Sequence, residues 1–195
     1  MPAMSQPSAV KASRAIGAMF FSFFGTAWLA GADAIARHGG DWLLAPIVLA
    51  GIGLFVAAWR RWRANRAAKA EFDATPRARR IARVFHAVNV GQWVLILVLA
   101  NVLRNVGLDD WVLDMVMAVV GLHFLPLAAV MGYRAHYVSG FALLALAASY
   151  PFLAAGGPQS ALGPLGAGVV LWGSAVVALT VGARVGDGEG ERVAA

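Results

Sequence analysis

The chain has 195 residues, of which 60% are hydrophobic and only 13% are charged, and its formal net charge is +6. A soluble domain keeps roughly a quarter of its residues charged, so this composition excludes an ordinary soluble domain. The sequence contains no cysteine, which excludes disulfides, thiolate nucleophiles and cysteine-based metal sites.

Six apolar stretches follow one another along the chain. A membrane-spanning helix needs about 20 mostly apolar residues, because the hydrocarbon core is about 30 Å thick and each residue rises about 1.5 Å. The stretches that meet this requirement are Ala15–Ala36, Trp42–Trp59, Val84–Leu103, Trp111–Tyr133, Tyr137–Ala155 and Leu162–Ala183. In lipid, such segments satisfy their backbone polar groups only as helices. The sequence therefore predicts an all-α, six-helix transmembrane bundle as a single domain over residues 15–183, with terminal tails 1–14 and 184–195.

The first predicted helix carries a polar stripe. Its members, within about 60° of one another around the helix, are Ser22, Thr26, Asp33 and Arg37. Asp33 and Arg37 are four residues apart and are expected to pair near the outer end. Lys11, Arg14 and the apolar run before Ala36 also imitate a signal peptide, but the run exceeds a typical apolar region of about 7–15 residues. We expect this helix to be retained, and its cleavage remains the alternative.

A basic cytoplasmic loop over residues 60–83 is predicted to follow the second helix. It contains Arg60, Arg61, Arg63, Arg66, Lys69, Arg77, Arg79, Arg80 and Arg83. Fourteen of the sixteen Lys and Arg residues lie on the same side as this segment, so the sequence predicts that both termini are cytoplasmic. Residues that flank membrane segments favour contact with lipids, in particular anionic headgroups, over nucleic-acid binding. A homo-oligomer or a partner subunit is left open.

The third helix is predicted to begin at Thr75-Pro76, as an N-cap followed by proline at the first helical position. It carries a ladder of His86, Asn89 and Gln92. These side chains line a hydrophilic pathway or bind a polar headgroup in one interpretation. In the other, they are hydrogen-bond partners between helices, worth about 0.6 kcal/mol each.

The fourth helix contains Asp114 and His123. Gly107 suits the end of the preceding helix, and Asp109 and Asp110 are expected to cap this one. His123 lies about 18 Å from the outer start of the fourth helix, a depth similar to that of Gln92 in the third.

These residues form two predicted polar layers. The outer layer comprises Asp33, Arg37, Asn101, Arg104 and Asp114, in which Arg104 and Asp114 are candidates to pair. The inner layer comprises His86, Asn89, Gln92 and His123, with Arg134 and His136 below it. Because ionisable groups inside a membrane are costly, the inner layer is the preferred pathway or ligand-binding candidate. Gly53-x-x-x-Ala57 and the glycines of the sixth helix suit close helix packing.

One segment of the fourth helix carries a family resemblance. Gly121-Leu122-His123-Phe124-Leu125-Pro126-Leu127-Ala128, with Tyr137-Val138-Ser139-Gly140 downstream and the stretch from Asn89 to Trp93 upstream, is similar to a group of uncharacterised small bacterial multi-pass membrane proteins. The resemblance covers roughly the third to fifth helices. It implies a membrane topology and directs attention to His123, and it implies no particular chemistry.

Three functions are compatible with the sequence. The favoured one is a small permease or channel-like protein for a small polar solute or ion. The second is an accessory or structural membrane subunit, and the third is a membrane-embedded enzyme or cofactor binder that uses His86 and His123. No HExxH, P-loop, GxSxG or dinucleotide fingerprint is present, so the sequence favours a protein without catalytic residues, metal or cofactor.

Overall fold

The computed structural model describes residues 5–36 and 43–192, and the side chains of 8–36 and 43–180. Its main elements are six α-helices: α1 (Ser5–Ala36), α2 (Leu44–Asp73), α3 (Pro76–Asn105), α4 (Val112–Met131), α5 (Ala135–Leu153) and α6 (Leu162–Arg192). Within the described residues, six helices are long and apolar enough to cross a membrane. The predicted all-α fold with six spans is therefore confirmed, and the chain is a multi-pass membrane protein by helix length and composition.

The helices pack in an order that differs from their order along the chain. α1 packs against α2 and α6, α5 packs against α6 and α4, and α4 packs against α3. The core between them includes the fully buried side chains of Met117, Leu143 and Leu171. α2 and α3 barely touch each other, although a short turn joins them. Each therefore has one packed neighbour and a broad exposed apolar face.

The sequence predicted a loop over the basic segment 60–83, and this prediction is wrong. The segment is helical except for the short turn at residues 74–75. α2 continues past Trp59 to Asp73, and α3 begins at Pro76. Arginine, alanine, lysine and glutamate dominate this segment, and all four favour helix, so the helices extend beyond their apolar parts. The predicted start of α3 is confirmed, because the Thr75 side chain accepts a hydrogen bond from the Ala78 N–H at 3.2 Å.

The connection between α3 and α4 differs from its prediction in one respect. Gly107 has a positive φ of 74°, and its N–H donates to the Arg104 carbonyl at 3.1 Å, as expected after a helix end. The predicted capping of α4 by Asp109 and Asp110 is wrong. These residues form a 3₁₀ turn, Asp109–Trp111, and the residue that caps α4 is Trp111, without a side-chain hydrogen bond. Asp110 instead accepts a hydrogen bond from the Gln159 side-chain amide.

Several glycines allow neighbouring helices to approach closely, and the sequence pattern predicted only some of them. A Cβ on Gly140 of α5 would lie 2.8 Å from the Gly121 carbonyl oxygen of α4, so these two backbones are in direct contact. The predicted packing role of Gly53 is wrong, because a Cβ there meets nothing within 4 Å. In α6, the prediction holds for Gly166 and Gly168. The Gly121–Gly140 contact holds the second turn of α5 against the middle of α4, next to the candidate site.

Candidate functional site

Rings from three helices meet where α4 leads into α5. His136, in the first turn of α5, stacks on Phe124 of α4, with ring centroids 5.7 Å apart and an angle of 20° between planes. Phe21 of α1 contacts both rings, at 5.5 Å from Phe124 and 5.8 Å from His136. Tyr133, in the α4–α5 connection, meets the His136 ring edge-on at 4.9 Å. The His123 ring of α4 meets the Phe124 ring edge-on at 5.7 Å, so both imidazoles contact the same phenylalanine. We call His123, Tyr133 and His136, with Phe21 and Phe124, the histidine cluster.

Three polar atoms of this cluster are buried without a hydrogen-bond partner among the described residues. They are the Nδ1 atoms of His123 and His136 and the hydroxyl of Tyr133. A buried polar atom that lacks a partner costs about 1–3 kcal/mol, and such atoms are rare in native proteins. Three of them in one place mark the cluster as a candidate site.

One cation lies against the cluster. The guanidinium carbon of Arg14, on α1, is 4.9 Å from the centre of the Tyr133 ring, within cation–π distance. Burial raises the pKa of the Tyr133 phenol above its ordinary value of about 10, and the Arg14 charge partly offsets this rise. The phenol therefore stays protonated at neutral pH, and its hydroxyl is available as a donor.

The predicted inner layer is only partly assembled. His123 is half-buried on α4, which packs against α3, the helix that carries the predicted ladder. The Asn89 amide donates to the Phe85 carbonyl of its own helix at 3.0 Å, and Gln92 is half-buried. His86 is exposed, and its ring contact is with the neighbouring Phe85. Below the layer, His136 joins the cluster, whereas Arg134 is exposed.

The predicted outer layer is dispersed. Asp33 is buried, and its expected partner Arg37 lies outside the described residues. The Asn101 amide donates to the Leu97 carbonyl of its own helix at 2.8 Å. Arg104 is exposed, and among the described residues it forms no ion pair with Asp114. Asp114 is half-buried, and its Oδ1 atom is fully enclosed without a hydrogen-bond partner in the described part of the chain.

A groove of about 340 Å³ lies between α3 and α4 at the predicted outer end. α3 supplies Leu99, Val102 and Leu103 to its walls, and the remaining lining residues are Leu108, Trp111, Asp114 and Met115. Asp114 is the one charged residue of this lining. We call this feature the Asp114 groove.

The polar stripe of α1 has a structural role in the packing of the bundle. The Ser22 hydroxyl is buried and donates to the Ala18 carbonyl of its own helix at 2.7 Å. Thr26 accepts a hydrogen bond from the Trp172 indole N–H of α6 at 3.2 Å. These two residues are satisfied by bonds within the helix and to α6, and they belong to the α1–α6 interface.

Two further observations concern possible metal ligands and similar proteins. Within the described residues, no group of three or more His, Cys, Asp or Glu side chains is placed to hold a metal ion. Comparisons with protein-family models, with curated proteins and with solved structures found no match.

Sequence reasoning missed the site roles of Arg14, Phe21 and Tyr133. In the sequence, Arg14 supports only the signal-peptide alternative and the charge count, and Tyr133 marks only the end of the fourth apolar stretch. Their proximity follows from the packing of α1 against the end of α4, which leaves no periodic signal within either helix. The sequence contains one signal of this proximity: Tyr133 and His136 lie three residues apart at the short α4–α5 connection.

Proposed function

We propose that this protein is a small permease or channel-like protein that moves a cation, with protons exchanged at the histidine cluster. The observation that carries the proposal is the distribution of buried polar atoms without partners. Four such atoms occur in the described residues, and they belong to Asp114, His123, Tyr133 and His136. All four residues lie on α4 or between its end and the first turn of α5.

The spacing of these groups supports a route along α4. Asp114 and His123 are nine residues apart, which corresponds to about 14 Å of helix. His123 and His136 both contact the Phe124 ring, farther along α4 from Asp114. Together the groups extend along most of a span, and ionisable side chains inside spans are characteristic of ion and proton pathways. Histidine suits proton exchange because one ring nitrogen of the neutral imidazole donates a proton while the other accepts one.

We further propose that the protein lies in the bacterial inner membrane with both termini in the cytoplasm. The charge distribution supports this orientation, since the basic extensions of α2 and α3 would then remain on the cytoplasmic side and contact anionic headgroups. The histidine cluster would extend from the middle of α4 to its cytoplasmic end, and the Asp114 groove would lie at the opposite end.

Kinship with the group that shares the Gly-Leu-His-Phe segment is also a proposal. Within this segment, Gly121 lies in close contact with α5. Phe124 stacks on His136, and His123 meets the Phe124 ring edge-on. A segment with these three contacts would be needed to build the same cluster in another chain.

The activity is tested by reconstitution. The purified protein is placed in liposomes that contain a pH-sensitive dye, and a potassium diffusion potential, negative inside, is imposed with valinomycin. We expect the lumen to acidify faster than in protein-free liposomes of the same composition. Acidification at the protein-free rate, with the protein folded and inserted, would contradict the proposed proton exchange.

A further inference from the structure

We infer that the Asp114 groove is a binding site for a small amphipathic organic cation, an apolar or aromatic body that carries one positive charge. The inference deepens the proposed permease function by naming a substrate class, and it rests on that function for the role of the bound molecule. The binding itself is argued from the groove alone.

No cation among the described residues pairs with the one carboxyl group of the groove. Asp114 is its one charged lining residue, and its Oδ1 atom is enclosed without a hydrogen-bond partner in the described part of the chain. The nearest expected partner, Arg104, is exposed and does not pair with it. A carboxylate held against apolar walls is costly unless a cation compensates it, so a cationic ligand is the complementary one.

The side chains that form the groove walls indicate that the uncharged part of the ligand is apolar or aromatic. Leu99, Leu103 and Met115 offer aliphatic and thioether surface, and Trp111 offers an aromatic ring, the side chain that best attracts an organic cation. A small inorganic cation would need several oxygen ligands, whereas the groove lining supplies a single carboxylate. The groove volume of about 340 Å³ is within the usual range of small-molecule sites.

The position of the groove agrees with a role in uptake or release. It lies at the end of α4 that is remote from the histidine cluster, and α3 and α4 both contribute to its walls. A cation bound there would occupy the end of the proposed route opposite to the proton-exchanging groups.

The test is equilibrium binding of benzyltrimethylammonium, in tritiated form, to the full chain in detergent. We expect saturable binding that unlabelled benzyltrimethylammonium displaces and that neopentylbenzene, its neutral carbon isostere, does not. Asp114→Asn keeps the shape of the side chain and removes its charge, and it should weaken binding by about tenfold or more, because interactions with charged groups contribute on that order. Asp109→Asn makes the same change outside the groove and should leave the affinity unaltered.

A second pair of variants tests the place of binding. Val102 lines the groove and is half-exposed, so Val102→Phe should fill the groove with little effect on folding and abolish binding. Val98→Phe, one turn away at a similarly exposed position outside the lining, is the matched control. If Asp114→Asn fails to fold, the Val102 pair decides.

Three results would overturn the inference: wild-type affinity in Asp114→Asn, wild-type affinity in Val102→Phe, or equal displacement by the neutral isostere. Binding that depends on Asp114 in a protein without proton flux would overturn the proposed proton exchange and leave the cation site standing. Proton flux without Asp114-dependent binding would overturn the cation site and leave the proposed proton exchange standing.

Discussion

The His136 imidazole stacks on the Phe124 ring with their centroids 5.7 Å apart, and this contact joins the first turn of α5 to α4. Phe21 of α1 packs against both rings, so the imidazole occupies a position that an aromatic hydrocarbon could fill. Its Nδ1 atom nevertheless lacks a hydrogen-bond partner among the described residues. The packing role and the polar character of His136 can therefore be separated by substitution.

The first prediction concerns this separation. His136→Phe keeps the ring contacts and removes the unpartnered nitrogen, so we expect the free energy of unfolding to stay within about 1 kcal/mol of wild type or to rise. His136→Ala removes the ring and should destabilise by about 2 kcal/mol or more. Both variants should lose proton flux. Unfolding in SDS mixtures and flux in liposomes measure the two effects, and a His136→Phe variant with wild-type flux would show that the imidazole takes no part.

Two tyrosines provide a second contrast. The Tyr150 hydroxyl donates to the Pro158 carbonyl at 3.1 Å, whereas the buried Tyr133 hydroxyl has no partner among the described residues. We expect Tyr150→Phe to lower the free energy of unfolding by about 1 kcal/mol, and Tyr133→Phe to leave it unchanged or to raise it by a similar amount. The same unfolding assay compares them. Equal destabilisation by both changes would indicate that Tyr133 has a partner after all.

The contact between α4 and α5 leads to a third prediction. A methyl group on Gly140 would lie 2.8 Å from the Gly121 carbonyl oxygen, so Gly140→Ala must separate the two helices and should destabilise by about 1–3 kcal/mol. Gly53→Ala is the control, because its Cβ would enter open space within α2 and alanine favours helix. The control should be neutral or slightly stabilising in thermal unfolding. A tolerant Gly140 would show that α4 and α5 are further apart than described.

The proposed orientation is tested by labelling, which the absence of cysteine makes direct. Glu71→Cys, near the turn between α2 and α3, should react with a membrane-impermeant maleimide only after cells are permeabilised. Gln159→Cys, in the α5–α6 connection, should react in intact cells. Both positions are exposed, so a difference in labelling reports the side of the membrane. The reverse pattern would invert the topology.

The sequence predicted the elements of this fold better than their lengths and ends. Hydropathy identifies the apolar part of each span, and the Thr75-Pro76 signal is local, so both were recognised correctly. The helical extensions of α2 and α3 have no apolar signal, because water solvates their arginine side chains. The aspartates before α4 were misassigned, since a 3₁₀ turn intervenes and Gln159, distant in sequence, binds Asp110.

The candidate site was predicted in part for a similar reason. The sequence singles out His123 as a polar residue deep in a span, because its depth follows from its position within one helix. Its association with His136, Tyr133 and Phe21 depends on contacts among three helices, which no spacing within one helix encodes. His86 shares the residue type of His123, but it lies on an exposed part of α3.

The central claim is that the buried polar groups along α4 form the proton route, and the pair His123→Asn and His86→Asn tests it most directly. Both changes replace an imidazole by an uncharged amide, one inside the histidine cluster and one on the exposed surface of α3. In the liposome assay at equal protein content, we predict that His123→Asn lowers the potential-driven proton flux by about tenfold or more, because the titrating group is lost. His86→Asn should keep the wild-type flux. Equal flux in all three proteins, or a loss confined to His86→Asn, would contradict the account.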